Sequence, residues 1–312
     1  MEILKSRILI TGGKGFLGSH LLDKLREIGC KQVFSPSSQQ YDLTKPNEIF
    51  SLFESYSPEL VIHLAGIIGG IQANKSYPGE FFYKNALMGL ELIENSRRFG
   101  VEKFVQIGTA CSYPKKTEIP FREDDFWNGF PIEDTAYYGM AKKMLLVQLD
   151  AYRRQYGFNG VYLILTNLYG PRDNFDLSSG HVIPSLIRKF HEAKSKSKST
   201  VEVWGRPEVS RDFLFVGDAV EAIVKSVKMY DSTEPLNIGS GVEVTMEQLT
   251  SAISDILEYD GAVEWNNSRP IGQPRRLLET QKAEEHLKFS PSVTLEEGLR
   301  STVNWYLRNL PE

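Results

Sequence analysis

The sequence predicts an α/β fold: a Rossmann-like, doubly wound parallel sheet with a smaller α/β part interleaved into it. Three observations lead there. Short apolar runs alternate with amphipathic stretches through the first half of the chain, the mark of βαβ units. The first run leads straight into the glycine-rich turn Thr11-Gly-Gly-Lys-Gly-Phe-Leu-Gly18 and then into a helical pattern. Beyond Tyr169-Gly-Pro171 the alternation breaks, and strand-like runs return only later.

Taken in order, residues 7–11 read as a strand, followed by the glycine turn and a helix to about Ile28. Further strands are expected at 31–35, 41–43, 60–64, 103–109 and 161–166, with helical patterns at 46–56, 80–99 and 135–156. Residues 184–193 read as a helix and 201–204 as a short strand. Residues 212–216 and 236–238 resume the strand pattern, and helices at 246–257 and 295–309 are expected to cover a substrate end. The resulting division assigns 1–168 and 212–238 to a dinucleotide-binding domain, and 169–211 and 239–312 to a substrate domain. No internal repeat is visible.

Composition narrows the class. The 312 residues suffice for one large α/β domain or a domain and a half. They are 41% hydrophobic and 24% charged, as in a globular protein with a large core. Lys and Arg total 36 against 40 Asp and Glu, a net charge of −4 that argues against nucleic acid or an anionic membrane as main partner. Two cysteines make no disulfide framework and fit a reducing compartment. The opening Met-Glu-Ile-Leu-Lys-Ser-Arg has no long apolar run after its charges, so no signal peptide is expected. No apolar run reaches the roughly 18 residues of a membrane span. A soluble, cytoplasmic protein without a metal site is expected. The patch Lys194-Ser-Lys-Ser-Lys-Ser199 reads as a solvated surface loop rather than a phosphate grip.

The glycine turn carries the first functional expectation. Gly13, Gly15 and Gly18 satisfy G-x-G-x-x-G, and Gly12, Gly15 and Gly18 satisfy G-x-x-G-x-x-G. Such glycines permit a tight turn, close approach of backbone to a pyrophosphate, and close packing of helix on strand. The helix N-terminus then offers free N–H groups to the anion. An acidic residue after the second strand would favour NAD through the ribose 2′-hydroxyl. The chain has Ser35-Pro-Ser-Ser38 there and no acid before Asp42, which favours NADP and leaves NAD open.

Tyr138-Gly-Met-Ala-Lys142 carries the second. A tyrosine and a lysine four apart share one helix face. The ammonium is expected to lower the phenol's pKa and hold it as a proton donor or acceptor. Thr109, at a strand end, adds a hydroxyl for the same substrate oxygen, and Cys111 adds a thiol that simple carbonyl reduction does not need. Cys30 reads as a core residue, and His20, His63, His191 and His286 are given no role.

The glycine loop, Thr109 and the Tyr138–Lys142 pair resemble the extended short-chain dehydrogenase/reductases. Within them, Gly69-Gly-Ile-Gln-Ala-Asn-Lys-Ser-Tyr-Pro78, Cys111-Ser-Tyr-Pro-Lys115 and Thr166-Asn-Leu-Tyr-Gly-Pro-Arg-Asp-Asn-Phe175 are similar to the GDP-L-fucose synthases. So are His181-Val-Ile-Pro-Ser-Leu-Ile-Arg-Lys-Phe-His-Glu192 and Trp204-Gly205, and the similarity runs over essentially the whole chain. It implies an NADPH-dependent enzyme that epimerises C3 and C5 of GDP-4-keto-6-deoxy-D-mannose and reduces C4. It further implies that Tyr138, Lys142, Thr109, Cys111 and His181 are catalytic, Cys111 and His181 being the acid–base pair. Cofactor contacts would fall on Gly12, Gly13, Gly15, Phe16, Leu17, Gly18, Ser37, Ser38, Ile107, Gly108, Lys142, Leu165, Asn167, Leu168 and His181. The GDP-sugar would meet Asn167, Lys189, Trp204, Arg211 and Arg276, the last two and Lys189 facing the diphosphate. A homodimer through the helices at 80–99 and 135–156 is the matching expectation for assembly.

The chain also departs from that pattern. Thr109 stands where serine is usual, Leu165 where proline is, Lys189 where arginine is, and Arg276 where lysine is. Ile271 replaces an acid, and Pro36 and Ser38 fall where arginines usually hold a 2′-phosphate. The machinery would equally serve a related GDP-sugar, such as a 4-keto heptose or a 3,6-dideoxy sugar. Two rivals remain at this point. One is a nucleotide-sugar 4-reductase or 4-epimerase using only the tyrosine–lysine pair; the other is a catalytically inactive nucleotide-sensing protein on the same fold.

Overall fold

A computed structural model describes residues 2–268 and 272–310, apart from the side chain of Ile71. Ile271 lies outside the described residues. The first half runs β1 (Ile8–Thr11), α1 (Phe16–Glu27), β2 (Val33–Phe34), α2 (Pro46–Tyr56), β3 (Leu60–His63), α3 (Ile71–Ser76), α4 (Pro78–Arg98), β4 (Lys103–Thr109), α5 (Ala136–Tyr156) and β5 (Gly160–Leu165). Then follow β6 (Asn167–Tyr169), α6 (Val182–Ser195), β7 (Thr200–Trp204), β8 (Ser210–Phe215), α7 (Val216–Met229) and β9 (Leu236–Ile238). The chain closes with β10 (Glu243–Thr245), α8 (Met246–Leu257), β11 (Ala262–Asn266), α9 (Gln281–Leu287) and α10 (Leu295–Arg308).

The central sheet has the order β2-β1-β3-β4-β5-β9, and every pairing in it is parallel. The chain steps outward from β1 to β2, then crosses to the other side of β1 for β3. That reversal makes the carboxyl ends of β1 and β3 the place where such sheets take ligands. Strands β1, β3 and β5 are buried throughout, which is why they read as continuous apolar runs rather than alternating ones. One face packs Ile8, Ile10, Ile62 and Leu163 against α1, α7 and α9; the other packs Leu9, Val61, Phe104 and Ile164 against α2, α4 and α5. Each such side chain contributes about 1.5–3 kcal/mol by leaving water.

A third core belongs to the second half, where Ile187 and Phe190 of α6, Leu249 and Ile253 of α8 and Leu299 of α10 meet Val203 and Phe213. Its strands form a sheet of order β10-β8-β6 and a parallel pair β11-β7. Capping boxes start α8 and α10: Thr245 and Thr294 accept from the N3 backbone while Gln248 and Glu297 reach back. The Lys194–Ser199 patch is exposed, as a solvated loop should be.

Several expectations need correction. Residues 41–43 form no strand, because Asp42 accepts from the backbone and hydroxyl of Thr44 at 3.0 and 2.7 Å, a local turn that competes with pairing. Strand β8 does not rejoin the central sheet; it pairs with β6 and β10, and α7 follows it immediately. Residues 278–289, placed by sequence with the second part, return to the first: Ala283, Leu287 and Phe289 lie in the core beside β9.

Two ties bind the halves. The buried carboxylate of Asp212 accepts from Ser240 N and Oγ at 2.9 and 2.7 Å, while its backbone carbonyl accepts from Thr166 and Asn167 at 3.0 and 2.9 Å. Burial pushes its carboxyl up to about 6. On the other side, His20 of α1 meets the loop after β6. His20 Nε2 lies 2.7 Å from the carbonyl of Pro171, which can only accept, so Nδ1 is free to accept from Arg172 at 3.1 Å. Arg172 also donates to Asp23 at 2.8 Å and holds a left-handed backbone with φ 67°. Arg172→Ala should lower stability by up to about 1 kcal/mol, because the charged contacts it loses are exposed. Arg172→Gly, which suits that φ, should be the more stable of the two variants by roughly 1 kcal/mol in urea unfolding.

Candidate active site

The site forms where β1, β3 and β4 end. The glycine turn bridges β1 and α1, with Gly15 N donating to Gly12 O at 3.0 Å. Gly12 has φ 74°, and a Cβ there would lie 2.7 Å from the backbone nitrogen of Ala65. Helix α1 starts without a side-chain cap and without an acid in its first turn, so its leading N–H groups keep their affinity for an anion. Beneath the turn, Thr11 Oγ1 and His63 Nδ1 are 2.7 Å apart and tie β1 to β3. Burial, then the charge of Lys142, holds that imidazole well below its ordinary pKa. Ser35 Oγ, at the end of β2, is buried with no partner among the described residues and abuts the space above Gly13. These features fit a dinucleotide: a cradle with no room for side chains, a bare helix end, and an unused hydroxyl on the ribose side.

Leu17, Ile107 and Leu168, expected around that cofactor, pack on the core under the site, and Leu165 is buried there. Phe16 stands edge-on to His20 with ring centroids 5.8 Å apart. Ser37 uses its N and Oγ on Gln40 Oε1 at 2.9 and 3.1 Å, and Ser38 is exposed. Lys14, which the sequence reading passed over, is an exposed cation on the glycine turn itself.

The reactive groups sit where α5 meets the end of β4. The chain leaves β4 through a single 3-10 turn, Ala110–Ser112, capped by Thr109 Oγ1 accepting from Cys111 N at 3.2 Å. Helix α5 closes on that turn at Gly139, where a Cβ would stand 2.6 Å from the carbonyl oxygen of Cys111. Ser112 Oγ donates to Gly139 O at 2.8 Å, and Tyr162 OH donates to Lys142 O at 2.9 Å. Tyr138 and Lys142 are thereby fixed beside Thr109 and Cys111.

Electrostatics differ from expectation at the pair itself. Lys142 is 4% exposed, donates to Ala65 O at 3.4 Å, and burial lowers its pKa to about 8. The phenol of Tyr138 is not lowered but raised, by burial and then by the neighbouring Cys111 sulfur. Lys142 is not among the groups that shift the phenol, so Tyr138 rests as a proton donor. Cys111 moves the other way. Burial alone would raise it, but the charge of the nearby Arg276 guanidinium and the Thr109 hydroxyl outweigh that and lower it from its ordinary value.

Arg276 places Nη1 3.5 Å from Cys111 Sγ. Arg211 donates to the carbonyls of Ser210 and Pro274 at 2.7 and 3.4 Å. Its pKa falls to about 9 through burial and the like charge of Arg276. Lys189 donates to Glu202 O at 3.0 Å and lies 4.5 Å over the ring of Trp204, whose indole N–H donates to Glu202 Oε1 at 2.7 Å. Asn167 spends its amide on Asp212 O. His181 is the exposed N-cap residue of α6 and makes no side-chain cap hydrogen bond, and partial desolvation lowers its pKa. Among the described residues, no hydrogen bond joins its ring to Cys111 or Tyr138. The structure thus gathers Thr109, Cys111, Tyr138, Lys142, Arg211 and Arg276, with Lys189 and Trp204 as a separate pair on α6 and β7.

A family model described as the NAD dependent epimerase/dehydratase family matches residues 8–239. The chain belongs to that family. A GDP-L-fucose synthase of Sinorhizobium fredii is 38% identical over 98% of this chain and 97% of its own. Among solved structures, a GDP-L-fucose synthetase from Naegleria fowleri bound to NADP superposes with a TM-score of 0.88 at 27% identity, covering 97% of this chain and 94% of that one. A GDP-6-OMe-4-keto-L-xylo-heptose reductase from C. jejuni superposes with a TM-score of 0.92 at 25% identity, covering 98% of both. This epimerase/dehydratase family member therefore has close relatives along nearly its whole length.

Two outcomes test the site. Gly139→Ala forces α5 away from backbone that cannot yield, and should cost about 1–3 kcal/mol in unfolding and up to a hundredfold in kcat. Lys142→Met should raise the melting temperature at pH 7 while abolishing reduction, because a pKa lowered from 10.5 to about 8 reflects roughly 3 kcal/mol of disfavoured charge. Between pH 8 and 10.5 the unfolded lysine holds its proton and the folded one does not, so wild-type stability rises and the gap should close.

Proposed function

We propose that this protein is an NADPH-dependent 3,5-epimerase and 4-reductase of a GDP-4-keto-6-deoxyhexose, with GDP-L-fucose as product. The observation that carries the reading is the Cys111 sulfur 3.5 Å from the Arg276 guanidinium, on the turn against which Gly139 seats the helix of Tyr138 and Lys142. A reductase alone needs the phenol and not the thiol. The full-length similarity to GDP-L-fucose synthases supports the same substrate class.

The residues then divide the work. A ketone at C4 acidifies the hydrogens at C3 and C5, and Cys111 takes one of those protons. The electron pair left on carbon delocalises onto the C4 oxygen, which the Tyr138 phenol and the Thr109 hydroxyl stabilise by hydrogen bonds. His181 returns a proton on the opposite ring face, which inverts the centre. NADPH, when bound, supplies hydride to C4. Tyr138 then gives its proton to that oxygen, and Lys142 behind it holds the nicotinamide ribose. Arg211, together with Lys189, faces the diphosphate, and Trp204 the base or sugar.

NADPH is favoured over NADH by the run Ser35–Ser38, which carries no carboxylate to repel a 2′-phosphate, and by the cation Lys14 on the glycine turn. The first half of the chain carries the cofactor and the second the sugar. The protein works in the cytoplasm as a homodimer, joined through α4 and α5, where Tyr83, Val147 and Tyr156 are exposed. No described helix is long and apolar enough to cross a membrane.

The test is turnover of GDP-4-keto-6-deoxy-D-mannose with NADPH in D₂O, with the product read by NMR. GDP-L-fucose carrying deuterium at C3 and C5 is expected. A reduced product without deuterium would leave a simple 4-reductase, and no turnover would refute this substrate. Cys111→Ser should suppress deuterium incorporation while some direct ketone reduction survives. Tyr138→Phe should cut hydride transfer by about a hundredfold or more.

A further inference from the structure

We infer that Arg276 is a positioning residue for Cys111, holding its sulfur as a thiolate in the resting enzyme. The inference rests on the functional reading above and assigns Arg276 a task other than gripping a diphosphate.

The geometry is specific. Arg276 is 8% exposed, and its Nη1 lies 3.5 Å from Cys111 Sγ. Among the described residues its one side-chain hydrogen bond goes to Cys111 Sγ, and its Nε is buried without a partner. A guanidinium stays charged in proteins, and burying one without an opposite charge is costly. Arg211 adds a second positive charge beside it. Cys111 is the group in contact with Arg276 that can answer its charge with a negative one. The other thiol gives the contrast: Cys30 sits in the core, donates to Ile3 O at 3.6 Å, and burial raises its pKa.

The pairing has a consequence for the order of proton movements. While the sulfur is anionic, the phenol of Tyr138 beside it is held protonated. Proton abstraction from carbon converts the thiolate to a thiol, and the electron pair passes to the C4 oxygen already bonded by that phenol. The base is therefore loaded before substrate arrives, and the acid for the later reduction is kept in reserve by the same charge.

The experiment needs no turnover, so it stands apart from the substrate assignment. The apo-protein is alkylated with iodoacetamide from pH 5 to 10, and the Cys111 peptide is followed by mass spectrometry, with Cys30 as internal control. In the wild type, Cys111 should reach half-maximal reactivity at a distinctly lower pH than Cys30 and than a free cysteine thiol. Arg276→Gln should move that midpoint up by a unit or more, slowing alkylation at pH 7 by about tenfold. Arg276→Lys should keep most of the wild-type profile. An unchanged profile in a natively melting Arg276→Gln variant would overturn the inference, above all if the KM for the GDP-sugar rose. Should that variant fail to fold, the thiolate absorbance near 240 nm of the wild type decides. A Cys111 that titrates like an ordinary thiol would overturn it too.

Discussion

The contact on which the site depends is between backbones: α5 rests on the carbonyl of Cys111 at Gly139. A helix normally stands about 10 Å from the sheet it covers, and side chains fill the gap. Here the missing Cβ lets the helix reach the turn that ends β4, and Ser112 and Tyr162 lock it there with hydrogen bonds. The distance between phenol and thiol is therefore set by main chain, not by flexible side chains. Everything chemical in the molecule is built on that fixed interval.

A second constraint is electrostatic. Lys142, Arg211 and Arg276 are cations carried toward one region, and burial disfavours the charge of Lys142 and Arg211. Natural proteins place such groups where an anion is due to arrive, and the molecule accepts lower stability for it. A GDP-sugar brings a diphosphate, and a dinucleotide brings a pyrophosphate and a 2′-phosphate. The resting protein offsets part of the imbalance internally, through the sulfur of Cys111.

The local parts of this design were legible in the sequence, because they depend on neighbours in the chain. The glycine turn, the i, i+4 spacing of Tyr138 and Lys142, and the buried apolar strands β1, β3 and β5 all announce themselves over a few residues. What could not be read depends on contacts across many residues. The contact of Arg276 with Cys111 spans 165 positions, and nothing near either residue points to the other. Strand β8 looked like a member of the central sheet since its burial pattern is that of any inner strand, whereas its pairing is decided by β6 and β10. The direction of the Tyr138 shift was misjudged for a related reason: spacing gives proximity, but only burial tells which of two neighbours yields its charge.

The tie between His20, Arg172 and Asp23 has a mechanical meaning. Helix α1, whose first turn receives the cofactor, and the segment that runs on to His181 are mounted on one bracket. Its bolts are side chains about 150 positions apart in the chain. A bracket of this kind makes tolerance, rather than affinity, the quantity it protects. The start of α1 and the segment that leads to His181 are thereby held at a fixed spacing.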